Sequence, residues 1–352
     1  MDVPLAEMPG SAREFHPDST VGRHGPDIDV NNVQPWLREQ LARVTACRRA
    51  VLKQAGCLDR PLMQALGARG KYFRPQLLLG FSMLSPDSGS PDDDIIAAAA
   101  AIEALHECSL LHDDIVDRST IRRGQPSIAA AFDVRTAAHA GAYLAAWAIA
   151  TLAQSCRRAG LSVDLSALRE LAAAEIVETL PAAATAAEHL LRIRRIVLGK
   201  TGVLVHLASE IGARFAGLRG GPKVAAADLR AFSEALSLAY QIRDDILDLE
   251  NDERLRRPGN NDLRDGKPSW PVTLWISSHS SPEAAWRGLR EAADDAVLAE
   301  RLRREILDSG TLATAREHVD AQLKLARAIL EPMPVSLGRS LLMGVLECLR
   351  VS

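Results

Sequence analysis

Three aspartates, Asp113, Asp114 and Asp117, crowd into one stretch of the chain, Glu103 to Gln125 (EALHECSLLHDDIVDRSTIRRGQ). His106 precedes them by about two helical turns, and Arg122 and Arg123 follow. On a helix Asp113 and Asp117 point the same way, one turn or roughly 6 Å apart. Carboxylates that close repel unless a cation lies between them or water solvates them fully. Mg2+ takes oxygen ligands and is usually held by one or two carboxylates together with the phosphates of a substrate. A single such cluster has a plain alternative, a solvated acidic helix end. The spacing recurs, however, at Asp244, Asp245 and Asp248 in YQIRDDILDLEND, again after an apolar helical run. Two copies of D-D-I-x-D favour a metal-and-anion site shared by two helices.

Cations stand at matching places. Gly70-Lys71-Tyr72-Phe73-Arg74-Pro75 sets a lysine and an arginine beside a glycine and a proline that can open a helix, so two cations and a helix N-terminus can face one anion. Arg122 and Arg123 lie in a loop closed by Gly124 and Pro126. The guanidinium is a planar fork of donors suited to phosphate oxygens, and two adjacent arginines can serve two different anions. Lys200-Thr201 falls inside an apolar helical run, where an unpaired ammonium is costly, so Lys200 either snorkels to water or meets a buried anion. His189 and His206 have no register with these groups and read as structural.

In this order the motifs resemble those of the trans-type isoprenyl diphosphate synthases, the polyprenyl synthetase family, and most of all a geranylgeranyl diphosphate synthase. The resemblance runs from about Leu66 to Trp275. It implies an enzyme that ionises an allylic diphosphate with Mg2+, three ions once diphosphate is bound, and condenses the cation with isopentenyl diphosphate. Asp113, Asp117 and Asp244 would hold the metals, with Asp114, Asp245 and Asp248 in or next to the ligand set. Arg122, Lys200 and Lys267 would bind the allylic diphosphate; Lys71, Arg74, His106 and Arg123 would bind isopentenyl diphosphate. Thr201 would line the cation pocket, and Gln241 would touch substrate near the reacting carbons. The chain departs from the family pattern at Arg69, Tyr72, Tyr240, Arg257 and Ser269-Trp270-Pro271.

The same resemblance puts control of product length at Cys108 and Ser109, five and four residues before Asp113, with Leu105 a partial stop one turn further back. Cys108 and Ser109 are small, so the expected product is linear, all-trans and at least twenty carbons long, geranylgeranyl diphosphate. Longer chains follow if the floor lies on the helix after Phe132. A type I terpene cyclase also ionises an allylic diphosphate but needs no homoallylic site, so Lys71, Arg74, His106 and Arg123 together favour elongation. Intact aspartates in both motifs argue against a non-catalytic regulatory subunit.

The elements that must position these groups read as helices throughout. The 352 residues are 47% hydrophobic but only 4% aromatic, rich in Ala and Leu, and they suit an all-α bundle around an apolar cavity. Residues 1–32 have no apolar period and are expected to be a disordered or loosely docked tail, with one helical domain over 33–352. Helices are expected from Val33, over Ile95 to Asp117, Phe132 to Arg158, Leu165 to Leu180, Ala187 to Leu218 and Ala225 to Asn251. A net charge of −3 predicts no nucleic-acid partner. Five cysteines without a CxxC pair suggest reduced thiols and a cytoplasmic setting. No signal peptide and no transmembrane segment is expected, and the family implies a homodimer.

Overall fold

The structure, a computed structural model, describes residues 30–50, 70–87, 89–179, 186–250, 261–264, 266–293 and 295–350. The first half of the chain forms α1 (Val30–Ala50), α2 (Phe73–Ser82), α3 (Asp93–Val116), a hairpin of β1 (Ile121–Arg122) and β2 (Gln125–Pro126), α4 (Ile128–Ala131), α5 (Val134–Arg158) and α6 (Leu168–Thr179). The second half forms α7 (Ala186–Val197), a π-helical turn (Leu198–Gly202), α8 (Val203–Leu218), α9 (Ala226–Leu249), α10 (Asn261–Arg264), α11 (Trp270–Ser278), α12 (Pro282–Ala292), α13 (Ala296–Asp308), α14 (Thr311–Leu330) and α15 (Leu337–Glu347). Among the described residues the hairpin is the only sheet, so the fold is all-α.

Helix α3 is the axis. The Asp92 side chain caps it, accepting from the Ile95 amide at 2.9 Å, and Asp93 and Asp94 add negative charge where the helix dipole is positive. Every residue from Ile95 to Leu105 is buried, as a helix without a polar face must be. The alanines from Ala97 to Ala101 keep it slim, and α1, α2, α5 and α8 pack around it. Helix α9 buries Leu229, Phe232, Leu236, Ala239, Ile242, Ile246 and Leu249 at helical spacing, against α8, α11 and α14. Both aspartate motifs therefore end long helices rooted in one core.

Four expectations change. Helix α1 begins at Val30, three residues early, and residues 1–29 lie outside the described part, as do Arg69, Pro181 and Arg257. The helix expected over Leu165 to Leu180 is shorter, Leu168–Thr179. The run from Ala187 to Leu218 is not uniformly α-helical but widens into the π turn at Leu198–Gly202. The expectation that no helix has the length and apolarity of a membrane span also fails. Asp93–Val116 and Glu188–Leu218 both pass that test at a mean hydropathy of 1.3, with 78% and 61% of the apolar window buried inside the fold. Their greasiness is spent on protein neighbours.

Helix α2 is wedged between α8 and α15, and glycine makes the fit. A methyl at Gly212 of α8 would lie 2.5 Å from the Leu78 carbonyl oxygen and 2.7 Å from Phe81 Cβ. Gly212→Ala is expected to lower stability by about 1–3 kcal/mol, the usual cost of overpacking. Gly217→Ala, further along α8 with nothing within 4 Å of the added carbon, is expected to raise stability by about 0.5–1 kcal/mol. Thermal unfolding of the two variants side by side checks both.

Candidate active site

The first motif occupies the last turn of α3, and its three carboxylates have three cationic partners. Asp114 is 3% exposed and accepts from Arg122 Nε at 2.8 Å and Nη2 at 2.5 Å. Burial raises its pKa, and the Arg122 fork opposes the rise. Asp113 accepts from Lys200 Nζ at 2.9 Å, and Asp117 from Lys267 Nζ at 2.9 Å. The last pair is exposed and worth little to stability.

Lys200 reaches Asp113 because of the π turn. There Gly199 lies so close to Ala174 of α6 that an added methyl would collide with the Ala174 side chain. That approach delivers two carboxylates the sequence reading missed. Glu178 accepts from Lys200 Nζ at 2.5 Å, and Glu175 lies 3.9 Å away. Burial works to lower the Lys200 pKa, but Asp113 and Glu178 more than reverse it, so the ammonium is charged. Burial and the nearby Asp113 raise the Glu175 pKa. Thr201 follows in the same turn, half-buried. The sequence signal was faint: two glutamates three residues apart in an alanine-rich helix.

The second motif ends α9. Asp245 is buried and accepts from Gln241 Nε2 at 2.8 Å and from the Trp270 backbone N–H at 2.9 Å. Burial raises its pKa, while those two bonds pull it down. Asp248 is fully buried, whereas Asp244 is half-buried beside Arg243 at 3.3 Å. Trp270 thus supports the motif through its backbone, and its indole donates to His318 Nδ1 of α14 at 3.1 Å.

A second, positive pole adjoins the first. Arg122 and Arg123 lie not in an open loop but in the β1–β2 hairpin, with Arg122 paired to Gln125. The two turn residues, Arg123 (φ 52°) and Gly124 (φ 75°), both have positive φ, the conformation two-residue hairpins of this hand require. This sends the two guanidinium groups apart, Arg122 to Asp114 and Arg123 to Glu107 Oε1 at 2.9 Å. Arg74, buried in the first turn of α2, and His106 of α3 complete the pole, with Glu103 and Glu107 as its carboxylates. Lys71 is exposed at the rim, whereas Tyr72, at φ 51°, turns its ring inward. Gly70 keeps the chain close: a methyl there would lie 3.1 Å from both Arg123 Nη2 and Glu103 Oε1. Burial drives the His106 pKa well below its ordinary 6.5, helped by Arg74, Arg123, Arg48 and Arg122, so the ring is neutral. His189 and His206 stand apart, the first within 3.1 Å of the Pro268 carbonyl and the second beside Glu210.

The sequence profile of the polyprenyl synthetases matches residues 56–302. The chain belongs to the polyprenyl synthetase family. This polyprenyl synthetase is 30% identical over 319 residues to the nonaprenyl diphosphate synthase of Mycobacterium tuberculosis, spanning 88% of this chain and 92% of that one. It is 32% identical over 291 residues to the farnesyl diphosphate synthase of Geobacillus stearothermophilus, spanning 76% and 95%. Its fold matches the polyprenyl synthase of Caulobacter crescentus, solved with calcium and isoprenyl diphosphate, at a TM-score of 0.72 and 25% identity over 91% of this chain and 98% of that one. The protein is a trans-prenyltransferase, an enzyme of prenyl diphosphate synthesis.

Family members depend on Mg2+, and the donor set here suits a hard divalent cation: carboxylate oxygens at the ends of two long helices. Among the described residues no three acidic, histidine or cysteine side chains yet converge to metal-binding distance. The reason is electrostatic, since Asp113, Asp114 and Asp117 each lean on a cation. The better exposed members, Asp113, Asp117 and Asp244, are the ones open to a metal, while Asp114, Asp245 and Asp248 are buried.

The chain-length candidates part company. Leu105 belongs to the main core, but Cys108 faces α5 in a smaller apolar patch with Leu111, Ile128, Ala137, Ala140 and Leu144. Ser109 is half-buried, its hydroxyl donating to the His106 carbonyl at 2.9 Å.

Because the folded protein keeps His106 neutral, the unfolded ring takes up its proton first as pH falls. The stability that His106 contributes is therefore full above pH 6.5 and is lost progressively below it. Urea unfolding of the wild type and His106→Gln at pH 7.5 and pH 5.5 checks this: the wild type is expected to lose more stability between the two.

Proposed function

We propose that the enzyme elongates an allylic diphosphate with isopentenyl diphosphate and releases linear, all-trans geranylgeranyl diphosphate. The observation that carries this reading is the pairing of two unlike poles along α3 and the hairpin that follows it. The aspartate pole, with Lys200, Lys267 and Arg122 on its carboxylates, suits a metal-bound diphosphate. The pole of Arg74, Arg123 and His106 suits a second, metal-free one. A cyclase has use for the first alone.

When bound, Mg2+ takes up negative charge on the departing diphosphate. The residues do the rest. Lys200, Lys267 and Arg122 exchange their carboxylate partners for diphosphate oxygens as the allylic C1–O bond breaks and the electron pair leaves with oxygen. Arg74 and Arg123, with Lys71 at the rim, hold isopentenyl diphosphate so that its terminal alkene carbon attacks C1, and His106 bonds the same anion through its neutral ring. The proton lost from C2 of the isopentenyl unit passes to the released diphosphate. Thr201 and Gln241 line the route between the poles, and the surrounding apolar side chains keep out water that would quench the cation.

The small Cys108 side chain, packed against Ala137, Ala140 and Leu144 of α5, supports a product of at least twenty carbons, since no bulky group there blocks growth. A homodimer and a cytoplasmic setting complete the proposal; exposed Ile149 on α5 and Ile176 on α6 offer apolar surface to a second copy.

The test is incubation of purified protein with Mg2+, isopentenyl diphosphate and dimethylallyl, geranyl or farnesyl diphosphate in turn, with products sized by carbon number. A linear twenty-carbon product is expected, and Cys108→Phe is expected to stop growth at fifteen. Turnover of the allylic substrate alone to a hydrocarbon or alcohol would mean a cyclase. Lys200→Met is expected to lower kcat by about 100- to 1,000-fold, the usual loss when one stabilising donor is removed.

A further inference from the structure

Arg48 of α1 is 1% exposed, the largest of the fully buried side chains, and it carries a charge. Burying a guanidinium is costly unless its partners are good. Its own bonds are few. Nη1 donates to the Tyr72 hydroxyl at 2.9 Å, and the guanidinium carbon lies 5.4 Å from the centre of the Tyr72 ring. Nη2 stands 3.5 Å from Glu107 Oε1, too long for a hydrogen bond, and among the described residues neither Nε nor Nη2 has a hydrogen-bond partner. Packing of α1 could be achieved by an apolar side chain, so the charge needs another explanation.

That explanation lies on α3. Glu103 and Glu107, one turn apart and both buried, repel each other. Glu107 Oε1 is the atom that holds Arg123 Nη1 at 2.9 Å, and Arg123 sits at positive φ in the hairpin turn, a conformation its neighbours must maintain. Arg74 and Arg123 both act on this glutamate pair, and Arg48, standing 3.5 Å from the very Glu107 oxygen that Arg123 holds, brings a third positive charge to it.

We infer that Arg48 is a positioning residue of the isopentenyl diphosphate site: by sharing Glu107 with Arg123 it fixes that carboxylate in place and keeps the Arg123 guanidinium aimed at the homoallylic diphosphate. Tyr72 serves the same arrangement, its hydroxyl bonded to Arg48 and lying 2.8 Å from the Thr45 hydroxyl. The inference rests on the proposed role of Arg123, and the experiment separates the two.

Arg48→Met keeps length and apolar packing but removes the charge. It is expected to raise the KM for isopentenyl diphosphate by about tenfold or more, leaving the KM for the allylic substrate within about twofold. Arg48→Lys is expected to recover part of the loss, and Tyr72→Phe, which deletes only the hydroxyl, to raise the same KM by a smaller factor. Equal changes in both KM values with a fall in Tm, or no change in either, would overturn the inference and leave Arg48 a packing residue. Calorimetric titration with isopentenyl diphosphate in EDTA gives a reading independent of turnover. Weaker binding by Arg48→Met than by wild type is expected there, and equal binding overturns the inference. Wild type that binds isopentenyl diphosphate in EDTA but never elongates would instead sink the proposed function and leave the role of Arg48 standing.

Discussion

The contact between Lys200 and Asp113 ties the site together. It joins residues 87 apart in sequence and closes the gap between the end of α3 and the π turn that leads into α8. In water such a pair contributes little, but here both groups are largely buried, and Glu178 adds a second carboxylate to the same ammonium. Two carboxylates from different helices thus hold one ammonium at the end of α3.

The same logic, with signs reversed, governs the neighbouring pole. Buried arginines converge on two glutamates, and the balance is positive where the aspartate side is negative. Under the proposed function, opposite charge on two adjoining poles would orient two diphosphates differently. The slim alanine run of α3 makes this possible, since both poles are carried by one helix, Glu103 to Glu107 on one and Asp113 to Asp117 on the other.

Much of this was legible in the chain. Aspartates at i, i+1 and i+4, repeated once, announced two helix ends with a common purpose, and the apolar runs before them gave α3 and α9 nearly to the residue. What escaped notice depended on contacts between distant segments. The π turn requires Gly199 to meet Ala174, which no local pattern records. Nothing in the local pattern of α1 marks Arg48, and only the inward turn of Tyr72 shows what it meets there. The hairpin was hidden because arginine is a poor choice for a residue at positive φ, so Arg122 and Arg123 read as plain loop.

That poor choice has a consequence for how the protein can change. At Arg123 the backbone would prefer glycine or asparagine, as turns of this kind do, while the role proposed for it demands a guanidinium. Under that role, a search for more heat-resistant variants would be drawn to this position and would gain stability there by discarding affinity for isopentenyl diphosphate. Thermal robustness and turnover would then pull on one residue in opposite directions, and arginine here would mark a selective compromise in favour of chemistry.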